Sequence, residues 1–518
     1  VTGPDFELAI IGGGPGGITT AHLLQERGIT DFVIIERGSD FGGTWRDNHY
    51  PGLAVDIPTL SYQFPFAPNP NWSRFLAPGP EIQQYLRDTA QRLGLYQHLR
   101  ADSNVIRQTW DDETAMWHLD IEGQQPITAR FVISAVGGFV NAKSRVDIDG
   151  VDEFGGTILR PNDWDDSYDI RGKRVAVIGT GSSGVQISAA VSGVADCVDI
   201  YQRTPGWVLP KVDFTLPPLL RRVFGMPGCV RAVNAAIRWA VDAAILMPMF
   251  HLLNRLPDRV LITAMPYFDS WFRLLYRLLL RAVVDDPATR RVLVPQYGIL
   301  AKSVIISNAF LPALNRSSTN LIATPIRRIT HNGIETTDGV VRDVDLIVAA
   351  TGYEMWTDPE TYRPGTILGR NGFDLAQEYQ TSGLRSYAGT CRPELPNRWE
   401  IVGPLGFVGY SWFDYVETMA SHAVRLIDEA RRRGADAVWV TTDAFEIWDA
   451  EMRRRGRIVR LYVTACPGLN TYFVNSQGET AYYRPQTITG SRRFSRRSPL
   501  TDYQFTTRSA DNRLENPR

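Results

Sequence analysis

Gly12, Gly14 and Gly17 stand in G-x-G-x-x-G spacing directly after the apolar run Leu8-Ala9-Ile10-Ile11. Gly179, Gly181 and Gly184 repeat the pattern after Val175-Ala176-Val177-Ile178, with Ser182 and Ser183 opening the helix that follows. Such glycines let backbone amides at a helix N-terminus approach a pyrophosphate, where the helix dipole favours the anion. A second strand follows each helical stretch, and the residue at its end differs between the copies. Glu36 closes the first and Arg203, followed by Thr204, closes the second, each 24 residues past the first glycine of its turn. A carboxylate there accepts hydrogen bonds from ribose hydroxyls, whereas a guanidinium suits a 2′-phosphate. The first site is therefore expected to hold FAD, and the second NADPH in preference to NADH.

These sites demand two strand–turn–helix units on parallel sheets. The fold class expected is α/β, with two Rossmann-type dinucleotide-binding domains for FAD and NADPH and a helical insertion in the second. Residues 1–140 read as the first part of the FAD domain, closing on the strand Arg130 to Ala135. Residues 141–170 are polar and turn-rich, as a linker would be. Residues 171–350 form the NADPH domain and end on the apolar strand before Thr351-Gly352. Residues 351–510 return to the FAD domain, and 511–518 form a tail. The stretch 217–283 interrupts the second domain with Leu- and Arg-rich helical sequence. It reads as a helical subdomain packed on the sheet, with a substrate-entry lid or a membrane-surface contact as the alternatives. Its apolar run Ala243 to Asn254 is bracketed by Asp242 and Arg255 and contains Pro248, so no transmembrane segment is expected.

Composition narrows the classes further. A chain of 518 residues with net charge −1 is large enough for two or three domains, with no general attraction to nucleic acid. Four separated cysteines without a C-x-x-C argue against a disulfide framework, a zinc site and a dithiol reductase. Seven histidines lack metal-ligand spacing, so no metal is expected. The first strand begins almost at once, which leaves no room for a signal peptide and points to a cytoplasmic protein. Nothing in the sequence reports oligomeric state.

Further motifs carry a resemblance. After Glu36 come Gly42-Gly43-Thr44-Trp45, then Tyr50-Pro51-Gly52 and Asp56. Gln202-Arg203-Thr204-Pro205, Asn315-Arg316 and Ala350-Thr351-Gly352-Tyr353 follow in order. Together they make the chain resemble, along nearly its whole length, a class B flavoprotein monooxygenase of the Baeyer–Villiger branch. The resemblance implies that Gly43, Thr44 and Trp45 border the flavin and that Asp56 lies beside it. It also implies that Lys302 contacts the 2′-phosphate and that Asn470 and Tyr472 lie towards the substrate side. Each residue also has a plainer reading: Trp45, Trp164 and Tyr472 as packing, Asp56 as a turn or cap.

Two positions depart from the family pattern. The motif F-x-G-x-x-x-H-x-x-x-W reads here as Phe154, Gly156, Arg160 and Trp164, with arginine in place of histidine. Where the family usually has Lys-Arg, this chain has Lys302-Ser303. The arginine implied at 303 would stabilise an anionic flavin peroxide, and serine offers a hydrogen bond without charge. The resemblance implies an NADPH- and O2-dependent FAD monooxygenase that inserts one oxygen atom into a bulky hydrophobic small molecule through a C4a-(hydro)peroxyflavin. Loss of the arginine raises the peroxide pKa, so the reading leans to oxygenation of a heteroatom, an aromatic nitrogen or sulfur. Baeyer–Villiger oxidation of a ketone to an ester or lactone is the alternative, with Arg160 or Lys302 as substitute cation. An uncoupled NADPH oxidase or non-oxygenating flavoprotein is the second alternative. The flavin carries the hard chemistry, so no nucleophile–base pair is required.

Overall fold

The strand Phe6–Ile11 lies between Phe32–Ile35 and Ile127–Ser134, parallel to both, and this trio is the centre of the larger sheet. All four residues of Phe32–Ile35 are buried, as expected of a strand covered on both faces. Val105–Asp111 and Met116–Ile121 extend the sheet antiparallel on one side. Leu99–Arg100 pairs with Phe32–Ile35, and two strands from the C-terminal third complete the sheet: Ile367–Leu368 pairs with Val105–Asp111, and Arg398–Glu400 with Ile127–Ser134. The long helix Trp412–Arg433 packs on the first nucleotide helix, Pro15–Gln25. This is a computed structural model, and it describes residues 3–143, 146–466, 469 and 471–507. Asn470 and the 511–518 tail lie outside the described residues.

The second sheet is wholly parallel, ordered Thr319–Ile322, Cys197–Tyr201, Arg174–Ile178, Leu346–Ala349 and Thr157–Leu159. The last of these falls inside the stretch expected to be a linker. Its backbone pairs with Leu346–Ala349, so part of that stretch is an edge strand. The fold is thus α/β with two Rossmann-type units. A two-stranded ribbon, Phe139–Ala142 against Tyr353–Met355, ties together the segments that leave the two sheets.

The insertion is helical over Pro218–Phe224, Cys229–Val241 and Asp258–Val283. The helix from Cys229 is longer than the apolar run Ala243 to Asn254 read from the sequence, and Pro248 lies inside it. The backbone widens into i→i+5 turns over Asp242–Leu246 and Pro248–Leu252, which accommodate a residue lacking N–H. Cys229–Arg255 therefore forms one helix of 27 residues, long and apolar enough by length and composition to cross a bilayer.

Candidate active site

The two glycine turns have nearly the same geometry. Gly12 has φ +109°, and a Cβ on it would meet the Ala135 carbonyl oxygen at 2.5 Å; Gly179 has φ +108° and would meet the Ala350 oxygen at the same distance. A Cβ on Gly17 or Gly184 would lie 2.0 Å from the carbonyl oxygen of Gly12 or Gly179. The outer glycines thus serve close packing. The middle ones face space: nothing lies within 4 Å of a Cβ on Gly181, and only Gly43 backbone atoms approach one on Gly14, from 3.6 Å. Neither following helix has a side-chain cap at its N-terminus. Both sites thus offer uncapped amides over an open cradle, which fits a dinucleotide pyrophosphate.

A cavity of about 380 Å³ runs along the first turn, from Glu36 past Gly14 and Gly43-Thr44-Trp45 to Trp356 and Trp412. Glu36 is almost fully buried at its edge. It accepts hydrogen bonds from the amides of Gly13 at 2.7 Å and Gly38 at 2.8 Å, and it pairs with Arg46 at 2.9 Å. A carboxylate offers about four acceptor positions, so capacity for a ribose hydroxyl remains. Trp45 donates its indole N–H to the Tyr62 hydroxyl at 3.1 Å. Arg46 was not singled out from the sequence, although a cation directly after Gly-Gly-Thr-Trp, ten residues beyond Glu36, was a legible hint.

At the second turn, Arg203 and Thr204 follow the strand Cys197–Tyr201. Lys302 faces Arg203: burial, then the charge of that guanidinium, holds its ammonium below the ordinary value. Two cations whose charges act on each other suit an anion such as a 2′-phosphate. Gly352 has φ +99° and open space about it, and its carbonyl accepts from the Lys143 amide at 3.2 Å. The Asn-Arg pair is structural instead. Asn315 donates to the Val283 carbonyl at 2.8 Å, and Arg316 donates to the Ser192 hydroxyl at 3.2 Å.

Between the two nucleotide sites lies the segment from Tyr50 to Asp56. The Tyr50 hydroxyl bonds Ser183 at 3.2 Å and Gln186 at 3.0 Å. Gly52 has φ +85°, and a Cβ on it would meet the Gln186 carbonyl at 2.9 Å, so the segment docks on the second nucleotide helix. Asp56 is surrounded by protein mass, though the residue keeps solvent-exposed surface. Burial pushes its carboxyl up to about 6, and the positive charge of Lys211 pulls the other way. Tyr50, Tyr62 and Tyr472 all feel its charge, and burial raises the pKa of each, leaving them as hydroxyl donors. Ser303 is hydrogen-bonded to the Tyr472 hydroxyl. Arg160 is half-buried, and its carbonyl accepts from the Asp163 amide at 3.1 Å; Trp164 is buried in the second core. No sequence pattern marked Lys211.

The raised Asp56 pKa has a consequence for stability. A carboxyl that binds its proton more tightly when folded contributes stability at low pH, which is lost as pH rises from the unfolded value, near 3.8, through about 6. Asp56→Asn is therefore expected to stabilise the NADP-free protein at pH 7.5 and progressively less towards pH 4.5. Discounted for solvent exposure, the gain is about 1 kcal/mol. Melting curves across that range check it, and a gain that does not vary with pH contradicts it.

Comparison with known proteins adds the following. Residues 10–78 match the family model of an NAD(P)-binding Rossmann-like domain. A Baeyer-Villiger monooxygenase of Streptomyces coelicolor is 31% identical over 502 residues, 96% of this chain and 92% of the relative. One from Pseudomonas aeruginosa is 32% identical, over 87% of this chain and 82% of the relative. Among solved structures, an oxidized steroid monooxygenase bound to NADP aligns with TM-score 0.81 and 25% identity, covering 97% of this chain and 99% of the other. A polycyclic ketone monooxygenase from the fungus Thermothelomyces thermophila shares the fold with TM-score 0.86 at 22% identity, covering 98% and 91%.

Proposed function

This chain belongs to the Baeyer–Villiger monooxygenases, flavin-dependent enzymes that use NADPH, and from that premise we propose that it oxygenates a bulky apolar ketone to an ester or lactone with FAD, NADPH and O2. The expectation that heteroatom oxygenation predominates finds no support among the named relatives. What supports the ketone reading is the match along nearly the whole chain to relatives named Baeyer-Villiger monooxygenases, although position 303 lacks a cation. The bound flavin activates O2 and supplies the transferred oxygen atom. The protein's part is binding, charge and proton placement. Glu36 and the uncapped amides of the first turn hold FAD, with Thr44 and Trp45 along its cavity. Arg203, Thr204 and Lys302 receive the 2′-phosphate, with Ser182 and Ser183 at the pyrophosphate end. Tyr50, bonded to Ser183, carries the position of that nucleotide to the segment bearing Asp56. Lys211 would supply a positive charge on the side of the site that bears Asp56. Ser303 and Tyr472 form a neutral hydroxyl pair that orients without charge.

Product analysis with a panel of ketones, sulfides and heteroaromatic amines tests the reading. Wild type is expected to form esters. Lys211→Met is expected to lower ester formation about 10- to 100-fold while sparing NADPH-driven flavin reduction. Ser303→Arg is expected to change little. The heteroatom reading rests on the serine at position 303: on it, wild type makes N- or S-oxides, Lys211→Met is silent, and Ser303→Arg opens ketone oxidation. NADPH consumption with peroxide release on every substrate would instead mark an uncoupled oxidase.

A further inference from the structure

Two helices of the insertion leave an apolar face in solvent, and each is fastened to the protein on the opposite side. On Asp258–Val283, Leu261, Asp269, Tyr276 and Leu280 are buried. Asp269 accepts from the Tyr462 hydroxyl, and Tyr276 accepts from the Val208 amide at 3.3 Å. Turned away from these lie Tyr267, Phe268, Trp271, Leu274, Leu275 and Leu278, a stripe at three- and four-residue spacing. Tyr267 is 76% exposed and Trp271 58%, which is unusual for aromatic side chains in a folded body. Arg273, Arg277 and Arg281 recur every fourth residue along one edge of the stripe.

The helix Cys229–Arg255 repeats the arrangement. Asn234, Arg238 and Asp242, one turn apart, bind the body through Ser61 at 2.7 Å, Asp414 at 3.2 Å and the Ile488 amide at 2.6 Å. Trp239 is 72% exposed, and Ile245 and Met247 are exposed with it. A helix held by three polar contacts along one face cannot give up that face to hydrocarbon without stranding them. Its length would let it span a bilayer; its anchoring makes it lie flat.

Charge selects what covers the face. Residues 217–283 hold nine arginines and three aspartates, without lysine or glutamate. Asp242 and Asp269 are buried, and Asp258 pairs with Arg457, so the solvent side is left positive. Aromatic side chains beside an arginine row fit the interface of an anionic bilayer. A second copy would bring arginine rows together. We propose that this insertion docks the protein in the plane of an anionic lipid surface, with the Tyr267–Leu278 stripe immersed at the headgroup boundary and the arginines on lipid phosphates. The inference does not depend on which substrate is oxygenated.

Flotation of the full-length FAD-loaded protein with phosphatidylcholine vesicles, with and without about one-third phosphatidylglycerol, tests it. Wild type is expected to float with the anionic vesicles, less as salt rises, and weakly with neutral ones. The triple variant Trp271→Ser, Leu274→Ser, Leu278→Ser is expected to lose about tenfold or more in partitioning. Its FAD content and NADPH-driven flavin reduction should stay at wild-type level. Arg277→Glu with Arg281→Glu should abolish the anionic preference. The proposal is overturned if wild type stays unbound at low salt or if the triple variant partitions like wild type. It is also overturned if the bound protein resists carbonate extraction, as a spanning helix would. A dimer in light scattering that the triple variant splits, without vesicle binding, would assign the face to a second copy instead.

Discussion

Glu36→Ala is expected to strip the flavin from the protein. The carboxylate is the acceptor for the amides of Gly13 and Gly38 and the partner of Arg46, at 2.7, 2.8 and 2.9 Å, and it is almost fully buried. Alanine removes the ribose acceptor and strands the two amides, while Arg46 keeps Asp47 and the Asp40 carbonyl, each at 2.6 Å. A hydrogen bond to a charged group contributes about 1.5–3 kcal/mol, so loss of the ribose acceptor lowers FAD affinity about 10- to 100-fold for each bond. Glu36→Gln keeps the volume and some acceptor capacity but not the charge, and should fall between. Flavin content after purification and fluorescence titration of the apoprotein with FAD measure the loss, with circular dichroism to check that the sheet persists. A Glu36→Ala protein that stays stoichiometrically yellow with unchanged affinity would remove Glu36 from the FAD site.

The second large effect concerns the choice of nicotinamide nucleotide. Wild type should reduce its flavin far more efficiently with NADPH than with NADH, because Arg203 and Lys302 present paired charges with Thr204 beside them. A charge-assisted hydrogen bond contributes about 1.5–3 kcal/mol. Arg203→Ala is therefore expected to raise the KM for NADPH about 10- to 100-fold and to leave NADH use nearly unchanged. Part of the preference should survive through Lys302. The pKa of that ammonium is lowered by burial and by Arg203, so losing Arg203 should let it rise. Anaerobic stopped-flow reduction with both nucleotides decides the matter. Equal wild-type efficiency with NADH and NADPH would contradict the assignment.

The residues behind these two predictions were nearly all legible in the sequence, and the reason is local. A strand, a glycine turn and a helix N-terminus are set by hydrophobic runs and by backbone conformations that glycine tolerates, all within some 25 residues. Glu36 and Arg203 could be read because each sits at the end of the next strand of its unit, where pairing fixes its place beside the turn. The family followed from several such short segments in order. Charge placement between segments was not legible. Lys211 acts on Asp56 across more than 150 residues of chain, and Ser303 meets Tyr472 at a separation of 169. No local pattern encodes such meetings, because they depend on how loops from two sheets close over one cleft. Pro248 makes the same point from the other side. The sequence showed only a short apolar run containing a proline, yet wider turns carry one helix through it, fastened by Arg238 to Asp414 and by Asp242 to the Ile488 amide. Short-range sterics and hydrophobic periodicity thus determined the two nucleotide sites and the family. Which cation faces Asp56, and which way the insertion turns its apolar side, were decided only by packing between distant segments, where burial and long-range ion pairs outweigh local propensity.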